Sequence, residues 1–246
     1  MRITSRQNPR IQQLRKLLSS RKEREKQGLF VADGTKLLAE ALRWWPDVRT
    51  VVLSDGLEMA RPPQVEVLQV PPEIMAYVSP MESPQGALFV CGLPQRAPLT
   101  VTAGTLLLDG IQDPGNLGTI LRTANALGIS VVLLEGCADP FSHKVVRASM
   151  GAVFRMPVVQ STWQEVNTLC QNAGIPLGVT ALSDAAVDLR QAALTQMAVV
   201  IGSEGQGVRR EILETAQKQL IIPMEPGCES LNAAVAAAIV MWQMKQ

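Results

Sequence analysis

The chain has 246 residues and a mass of 26.6 kDa, enough for one large domain or two smaller ones. Its hydrophobic content of 47% is that of a globular protein with a core, and no apolar run is long enough to span a membrane. The four cysteines lie far apart and the amino terminus lacks the apolar stretch of a secretory signal. We therefore expect a cytoplasmic protein with reduced thiols and no zinc cluster.

The first 26 residues are strongly basic. Nine lysines and arginines stand against two glutamates between Met1 and Lys26, although the whole chain has a net formal charge of only +1. A basic segment on an otherwise acidic protein indicates polyanion binding, with a solvated helix face as the alternative. Because only 4% of the residues are aromatic, we expect contacts with a nucleic-acid backbone rather than base stacking.

The first hundred residues alternate between predicted helices and strands. Helical spacing is present at 9–26, 35–45 and 71–79, and apolar runs predict strands at 29–33, 50–55 and 86–92. Four prolines between Pro80 and Pro98, with the polar stretch PQRAPLT, indicate a linker that ends near residue 100. We therefore expect a small α/β domain over residues 1–97.

Six further apolar runs follow residue 104, and helical segments separate most of them. The runs are 105–109, 130–136, 155–159, 176–182, 197–202 and 219–224, and the helical segments are 116–128, 142–151, 162–174, 207–218 and 229–246. Near-continuous apolar strands between helices predict a parallel sheet covered on both faces, in a second domain over 104–246. The last helix is so apolar that we expect it to be buried against this domain or a second subunit.

The first polar cluster of the second domain is DGIQDPGNLGTILRTANALG, residues 109–128. The sequence Asp-Pro-Gly predicts a turn after a strand, and Asn116 is our predicted cap of the following helix. Arg122 lies two turns into that helix, with no acidic residue within one turn of it. The alternatives for Arg122 are a functional role and a structural salt bridge to a residue distant in sequence.

The second polar cluster, SHKVVRASMGAVFR, spans residues 142–155 and adds positive charge at Lys144, Arg147 and Arg155. Ser142 is a candidate helix cap. His143 is the only histidine, and without a second histidine or a nearby acid it is a poor metal ligand or catalytic base. We interpret it as a surface residue, with contact to an RNA phosphate as the alternative.

The third polar cluster joins the loop IGSEGQG to the segment IIPMEPGCESLNAAVA, residues 221–236. Its glycines are spaced G-x-x-G-x-G, whereas a dinucleotide-binding loop has G-x-G-x-x-G. Glu204 would also repel a phosphate placed in this loop. The alternative is a plain turn between strand and helix, and Ser230 and Asn232 can serve simply as caps of the last helix.

Three stretches of the first and third clusters resemble the motifs of the SpoU-type (TrmH-like) RNA ribose methyltransferases of the SPOUT superfamily. The motifs NLGTILRTA, SEGQG, and IIPM followed by ESLNAAVAAA occur in this order within 104–246. The stretch GLFVADGTKLLAEAL resembles the small substrate-binding domain of many members, which is itself similar to a ribosomal RNA-binding protein. Two positions depart from the family pattern: Ser203, where many members have asparagine, and Asp33, where glutamate is usual.

The resemblance implies an α/β fold whose parallel sheet carries a C-terminal trefoil knot, a rare exception among protein chains, with a small N-terminal α/β substrate-binding domain. It implies methyl transfer from S-adenosylmethionine to the 2′-hydroxyl of a ribose in RNA, by a homodimer and without a metal. The separate N-terminal domain favours ribosomal RNA as the substrate. Ribose or base methylation of transfer RNA, and a catalytically idle RNA-binding protein, remain as alternatives.

The resemblance also implies roles for individual residues. The residues implied in catalysis are Asn116, Arg122, Glu204, Ser230 and Asn232. The residues implied in cofactor binding are Thr180, Ala181, Leu182, Gly202, Glu204, Gly205, Ile221, Ile222, Met224, Ser230, Leu231 and Asn232. From charge, we expect RNA contacts from Arg6, Arg10, Arg15, Lys144 and Arg147. Because a guanidinium with a pKa above about 12 is a poor base, we expect Arg122 to position the ribose hydroxyl with only partial base character.

Overall fold

The computed structural model describes residues 1–95, 97–225, 227–228 and 230–246. Arg96 of the predicted linker and Glu229 of the third motif therefore lie outside the described residues, as does Pro226. The chain forms two compact units. The first contains Met1–Gln95 and Asp139–Arg155, and the second contains Arg96–Ala138 and Met156–Gln246.

The first unit consists of helices around a four-stranded sheet. Its helices are α1 (Pro9–Ser19), α2 (Arg21–Gln27), α3 (Thr35–Trp44), α4 (Pro72–Val78) and α6 (His143–Ala148), and its strands are β1 (Leu29–Asp33), β2 (Val48–Ser54), β3 (Glu66–Val70) and β4 (Ala87–Gly92). The sheet order is β1-β4-β2-β3, with β4 antiparallel to both neighbours and β3 parallel to β2. Ile11, Leu14 and Leu17 of α1 are buried in the core that covers this sheet.

The single helix predicted over residues 9–26 is wrong, because two helices meet at Ser20. This residue is extended, with φ −129° and ψ 116°, so it ends α1. Its side chain accepts a hydrogen bond from the backbone N–H of Glu23 and thereby caps α2. Consequently α2 takes a new direction, and Arg24 is buried instead of exposed with the rest of the basic segment.

The segment Asp139–Arg155 belongs to the first unit, although it follows the linker by about forty residues in the chain. The Asp139 carboxylate pairs with the buried guanidinium of Arg24 at 2.5 Å. Phe141 and Phe154 pack on Phe30, with ring centroids 5.2 and 6.4 Å away. The predicted domains 1–97 and 104–246 assign this segment to the second domain, whereas its contacts assign it to the first unit.

The second unit contains a seven-stranded sheet in which all neighbouring strands are parallel, in the order β7-β6-β5-β10-β8-β11-β9. Its strands are β5 (Leu106–Asp109), β6 (Val131–Leu133), β7 (Val159–Gln160), β8 (Leu177–Thr180), β9 (Val187–Asp188), β10 (Ala198–Gly202) and β11 (Lys218–Ile221). Its α-helices are α5 (Pro114–Leu127), α7 (Trp163–Ala173), α8 (Arg210–Leu213) and α9 (Ala233–Gln243), and short 3₁₀ turns complete the unit. The predicted α/β fold with a parallel sheet is confirmed.

Helix α9 is buried on one side only. Ala237, Val240 and Met241 are buried, and α9 packs against α5. The opposite side exposes a stripe of three apolar side chains with helical spacing, whose exposed fractions are 49% for Val235, 38% for Ile239 and 61% for Trp242. We predicted that the last helix is buried either against its own domain or against a second subunit. Within the single chain, the side that carries this stripe is exposed, so the helix is not fully buried by its own domain.

Among the described helices, none combines the length and the apolar character that crossing a membrane requires.

Candidate active site

A cleft of about 710 Å³ opens at the carboxyl ends of β8, β10 and β11. In open α/β sheets this edge is where ligands bind. Four segments line the cleft, at 180–183, 201–208, 219–224 and 230–236. The residues predicted to bind the cofactor that line it are Thr180, Ala181, Leu182, Gly202, Glu204, Gly205, Ile221, Ile222, Met224, Ser230 and Leu231. Asn232, the remaining one, instead caps α9 at the rim.

The loop after β10 is a tight hairpin that only glycine permits at its base. The backbone N–H of Ser203 donates to the carbonyl of Gly207 at 3.2 Å, and the reverse bond is 3.0 Å. A Cβ on Gly202 would lie 2.1 Å from the carbonyl carbon of Gly207, so the two backbone segments leave no room for a side chain. The Ser203 hydroxyl accepts from the N–H of Gln206 at 3.3 Å, which gives serine a structural role in this turn.

A chain of hydrogen-bonded polar side chains joins the first sequence cluster to both parts of the third. The Asn116 amide donates to the carboxylate of Glu204, and the Asn232 amide donates to the Asn116 carbonyl oxygen at 3.0 Å. Asn232 also accepts from the backbone N–H of Ala234 and of Val235, which confirms its predicted capping position. Residues 88 and 116 positions apart in the chain are thus brought together.

Asn116 is not the cap of α5, contrary to our prediction. Asp113 is the cap, and its carboxylate accepts from the N–H of Asn116 at 2.7 Å. Pro114 occupies the first helical position, where its missing N–H costs nothing. The side chain of Asn116 is therefore free to bond with Glu204 and Asn232.

Arg122 lies on the exposed side of α5. Its position, six residues beyond Asn116, corresponds to about 9 Å along the helix at 1.5 Å per residue. Within the described residues, no hydrogen-bond or ion-pair partner of its side chain is found. A structural salt bridge, the alternative for this residue, is thus without support from the described part of the chain.

An ion-pair cluster that the sequence did not reveal holds the far end of the glycine loop. Arg209 donates to Asp109 through its backbone N–H at 2.9 Å and its Nε at 2.7 Å, and to Glu135 through Nη2 at 2.8 Å. Burial by itself raises the pKa of the Glu135 carboxyl. Backbone N–H groups, including that of Trp163, and Arg209 outweigh this effect, so the pKa of Glu135 is lowered overall. Asp109 ends β5 and its side chain is only 2% exposed. A carboxylate at the end of an apolar strand was therefore the sequence signal that could have indicated this ion-pair cluster.

The charge of the cleft excludes some ligands. Among the described residues that line it, Glu204 is the only charged one, and the lining combines backbone polar groups with apolar side chains such as Leu182, Ile222 and Met224. A phosphate would meet a carboxylate there without a basic partner, so the cleft does not suit a nucleotide pyrophosphate. It suits a neutral or positively charged ligand with an apolar portion.

The comparisons with known proteins agree with this geometry. Residues 104–242 match the family described as SpoU rRNA Methylase, and residues 8–88 match the MRM3-like substrate binding domain. The chain is 32% identical to the 23S rRNA (guanosine(2553)-2′-O)-methyltransferase RlmP of Bacillus subtilis (strain 168), over 99% of this chain and 98% of that protein.

Solved structures of similar proteins cover nearly the whole chain. A putative RNA methyltransferase of the TrmH family from Porphyromonas gingivalis is 35% identical, with a TM-score of 0.86 over 97% of each chain. The AdoMet-bound rRNA methyltransferase from Sinorhizobium meliloti is 29% identical, with a TM-score of 0.87 over 100% of this chain and 97% of that one.

The parallel sheet, the cleft at its carboxyl edge and these similarities define an α/β RNA methyltransferase. The family match spans more than half of the chain, and the relatives align along almost all of it. The chain belongs to the SpoU rRNA Methylase family, as the three motifs predicted.

Proposed function

We propose that this protein transfers a methyl group from S-adenosylmethionine to the 2′-hydroxyl of a ribose in ribosomal RNA. The observation that carries the proposal is the hydrogen-bonded set of Asn116, Glu204 and Asn232 beside a phosphate-excluding cleft. The substrate follows from the relatives, since the Bacillus subtilis protein is named for 2′-O-methylation of 23S rRNA.

S-adenosylmethionine fits the donors that the cleft offers. The volume of the cleft, about 710 Å³, is within the usual range of ligand pockets. The hairpin 203–207 and the segments after β8 and β11 would hold the adenosine and methionine parts through backbone amides and carbonyls. A cationic sulfonium is compatible with the nearby carboxylate of Glu204. When bound, the cofactor supplies an electrophilic methyl group, and the sulfonium becomes neutral on transfer, so the reaction needs no metal.

The protein's own part in the reaction is to place and activate a weak nucleophile. A ribose hydroxyl attacks a methyl group only if it is aligned and its proton is drawn off as it reacts. We assign the orientation of that hydroxyl to Arg122. Helical side chains lean toward the amino end of their helix, which for α5 is the end that carries Asn116. Asn116, Glu204, Ser230 and Asn232 hold the ribose and keep the loop in place.

We keep the proposed division between a substrate-binding domain over 1–97 and a knotted methyltransferase domain over 104–246. The five basic residues proposed to contact RNA (Arg6, Arg10, Arg15, Lys144 and Arg147) are all part of the first unit, although Lys144 and Arg147 come from within 104–246, so we assign RNA binding to that unit rather than to residues 1–97 alone. Segment 139–155 adds Lys144, Arg147 and Arg155 to that unit. A cytoplasmic location remains part of the proposal, and the bacterial relative named for 23S rRNA methylation supports it.

We also propose a homodimer. The stripe Val235, Ile239 and Trp242 on α9 is apolar and solvent-exposed in the single chain. A self-complementary contact with a second copy would remove this stripe from water.

The test of the proposed function is Arg122→Ala compared with Arg210→Ala. Arg210 of α8 is an equally charged, exposed side chain of the second unit, and it is paired with Glu214, which follows the helix. Both variants should fold, since exposed substitutions usually change stability by less than about 0.5 kcal/mol. Arg122→Ala should bind S-adenosylmethionine normally and lose about a hundred- to ten-thousand-fold in kcat on unmethylated ribosomal RNA. Arg210→Ala should keep its turnover.

The outcome that contradicts this role is a folded Arg122→Ala enzyme with more than about a tenth of the wild-type kcat. If the wild-type protein methylates transfer RNA and no ribosomal RNA, the proposed substrate is wrong, but the assignment to the RNA methyltransferases stands. After digestion of the product RNA to nucleosides, a methylated nucleoside that resists periodate distinguishes ribose from base methylation.

A further inference from the structure

A second pocket lies in the first unit and shares no lining residue with the cofactor cleft. It has a volume of about 360 Å³ and lies between α1, the chain that follows α4, and the start of α6. Gln12, Arg15 and Lys16 form one wall, and Tyr77 and His143 form others. None of the described residues that line it is acidic.

Tyr77 is the centre of an unusual arrangement of positive charge. The guanidinium carbons of Arg6 and Arg15 lie 4.9 and 4.3 Å from the centre of its ring. Arg15 and Gln12 also donate hydrogen bonds to the phenolic oxygen. Each cation is attracted by the ring, but two guanidiniums on one ring repel each other. An anion beside them would remove that repulsion.

Most other arginines of the basic segment are already neutralised. Their ion pairs are Arg2 with Asp55, Arg10 with Glu66, Arg21 with Glu25 and Arg24 with Asp139. Within the described residues, Arg6, Arg15 and Lys16 have no carboxylate partner. The two arginines of the segment without a carboxylate partner in the described part of the chain therefore both lie against Tyr77.

The histidine in the wall adds no positive charge near neutral pH. Burial lowers the pKa of His143 below its usual value, despite the opposing effect of the nearby Asp33 carboxylate. His143 is half-buried, with a buried Nδ1 that has no partner among the described residues, so its interpretation as a surface residue is wrong. The cations that face the pocket are Arg15 and Lys16, and Arg6 lies beside them on the ring.

We propose that Arg6, Arg15 and Lys16, arranged around Tyr77, bind a backbone phosphate of the RNA substrate. The inference rests on the proposed function and identifies where the basic segment contacts RNA. A phosphate accepts several charge-assisted hydrogen bonds at once, which matches the guanidinium of Arg15 and the ammonium of Lys16 on one wall of the pocket, with the Arg6 guanidinium against the same tyrosine ring. The ring of Tyr77 holds the two arginines in place before RNA binds, so less conformational entropy is lost on binding.

The state of Tyr77 gives a direct signal of binding. Hydrogen bonds from Gln12 and then from Arg15 lower the pKa of the phenol, and the positive charges of Arg15 and Arg6 act in the same direction. A bound phosphate would offset those charges and raise the phenol pKa. Because Tyr77 is the only tyrosine, incorporation of 3-fluorotyrosine gives a single ¹⁹F resonance that reports this site.

The experiment adds a ribosomal RNA fragment to the fluorotyrosine-labelled full-length protein and titrates the phenol with and without RNA. We expect RNA to shift the resonance and raise the phenol pKa, and millimolar inorganic phosphate to shift it only weakly. In parallel, Arg15→Gln/Lys16→Gln should weaken RNA binding about tenfold and reduce the slope of log K against log salt by about 0.7–0.9. Arg21→Gln, a paired arginine of the same segment, should leave the slope unchanged.

The outcomes separate this site from the proposed function. If the wild-type protein methylates ribosomal RNA but neither the resonance nor the salt slope responds, the phosphate site is overturned and the function stands. If inorganic phosphate binds as tightly as the RNA fragment, the site is for a small phosphate and the RNA assignment is overturned. A normal melting temperature and normal S-adenosylmethionine binding in each variant exclude misfolding.

Discussion

Gly202→Ala tests how much the cofactor cleft depends on the close approach inside the glycine loop. The added Cβ would lie 2.1 Å from the carbonyl carbon of Gly207, 2.2 Å from its oxygen and 2.3 Å from the nitrogen of Val208. To reach an ordinary contact of 3.4 Å, the backbone must open by about 1.3 Å. All three obstructing atoms belong to the backbone, so no side-chain rotation can relieve the clash.

Opening the loop breaks the paired backbone hydrogen bonds between Ser203 and Gly207. Such bonds contribute about 0.5–1.5 kcal/mol each, and overpacking a tight site costs about 1–3 kcal/mol. If forming the cleft in the variant costs about 1–3 kcal/mol more than in the wild-type protein, the Kd for S-adenosylmethionine rises about 5- to 150-fold. If the same cost is felt globally, the melting temperature falls by roughly 2–12 °C.

The assay is calorimetric titration of S-adenosylmethionine together with thermal unfolding. Gly205→Ala is the steric control for stability, because its Cβ would meet nothing within 4 Å. We expect Gly205→Ala to melt within about 2 °C of the wild-type protein. A Gly202→Ala protein that melts normally and binds the cofactor within twofold of the wild type would refute the reasoning.

Three further predictions concern charge and assembly. Asp33 is buried with one unpartnered oxygen, and burial, opposed by Arg147, raises its pKa. The ionised Asp33 carboxylate therefore costs stability, and this cost is absent below the unfolded pKa and appears as pH rises through the folded pKa. In urea unfolding, Asp33→Asn should stabilise the protein by roughly 1 kcal/mol at pH 7 and not at pH 3. Arg209→Ala leaves the Asp109 carboxylate, which is 2% exposed, without its ion pair. The free energy of unfolding should fall by about 3 kcal/mol, which is the low end for buried pairs because Arg209 itself is 38% exposed. A loss below about 1 kcal/mol would contradict the importance of this pair. Trp242→Glu should convert the proposed dimer to a folded 26.6 kDa particle in light scattering; a wild-type protein already of that size would disprove the dimer.

The sequence predicted the parallel sheet because its central strands are largely apolar, with polar residues at their ends such as Asp109 of β5 and Thr180 of β8. It missed β3 and β9, since β3 is only partly buried and β9 has two residues. It also placed the cap of α5 at Asn116 instead of Asp113, a shift of three residues that changes what the Asn116 side chain is free to do.

The candidate site was accessible from sequence only in part. The motif residues could be collected by family resemblance, but the contact between Asn116 and Glu204 joins positions 88 residues apart. The pair of Asp109 and Arg209 joins positions 100 residues apart. Helical and strand periodicity carries no information on such distances. The concentration of charge at Tyr77 likewise depends on which arginines find carboxylates, and that is decided by the fold.

The return of Asp139–Arg155 to the first unit has a consequence for synthesis and engineering of the chain. A domain usually folds once its own residues have left the ribosome, amino-terminal domain first. Here Phe30 completes its packing only with Phe141 and Phe154, so the first unit stays unfinished until residue 155 has emerged. The two units are therefore interleaved in the order of translation. A chimaera joined at the linker near residue 100 would inherit an aromatic core with part of its lining missing.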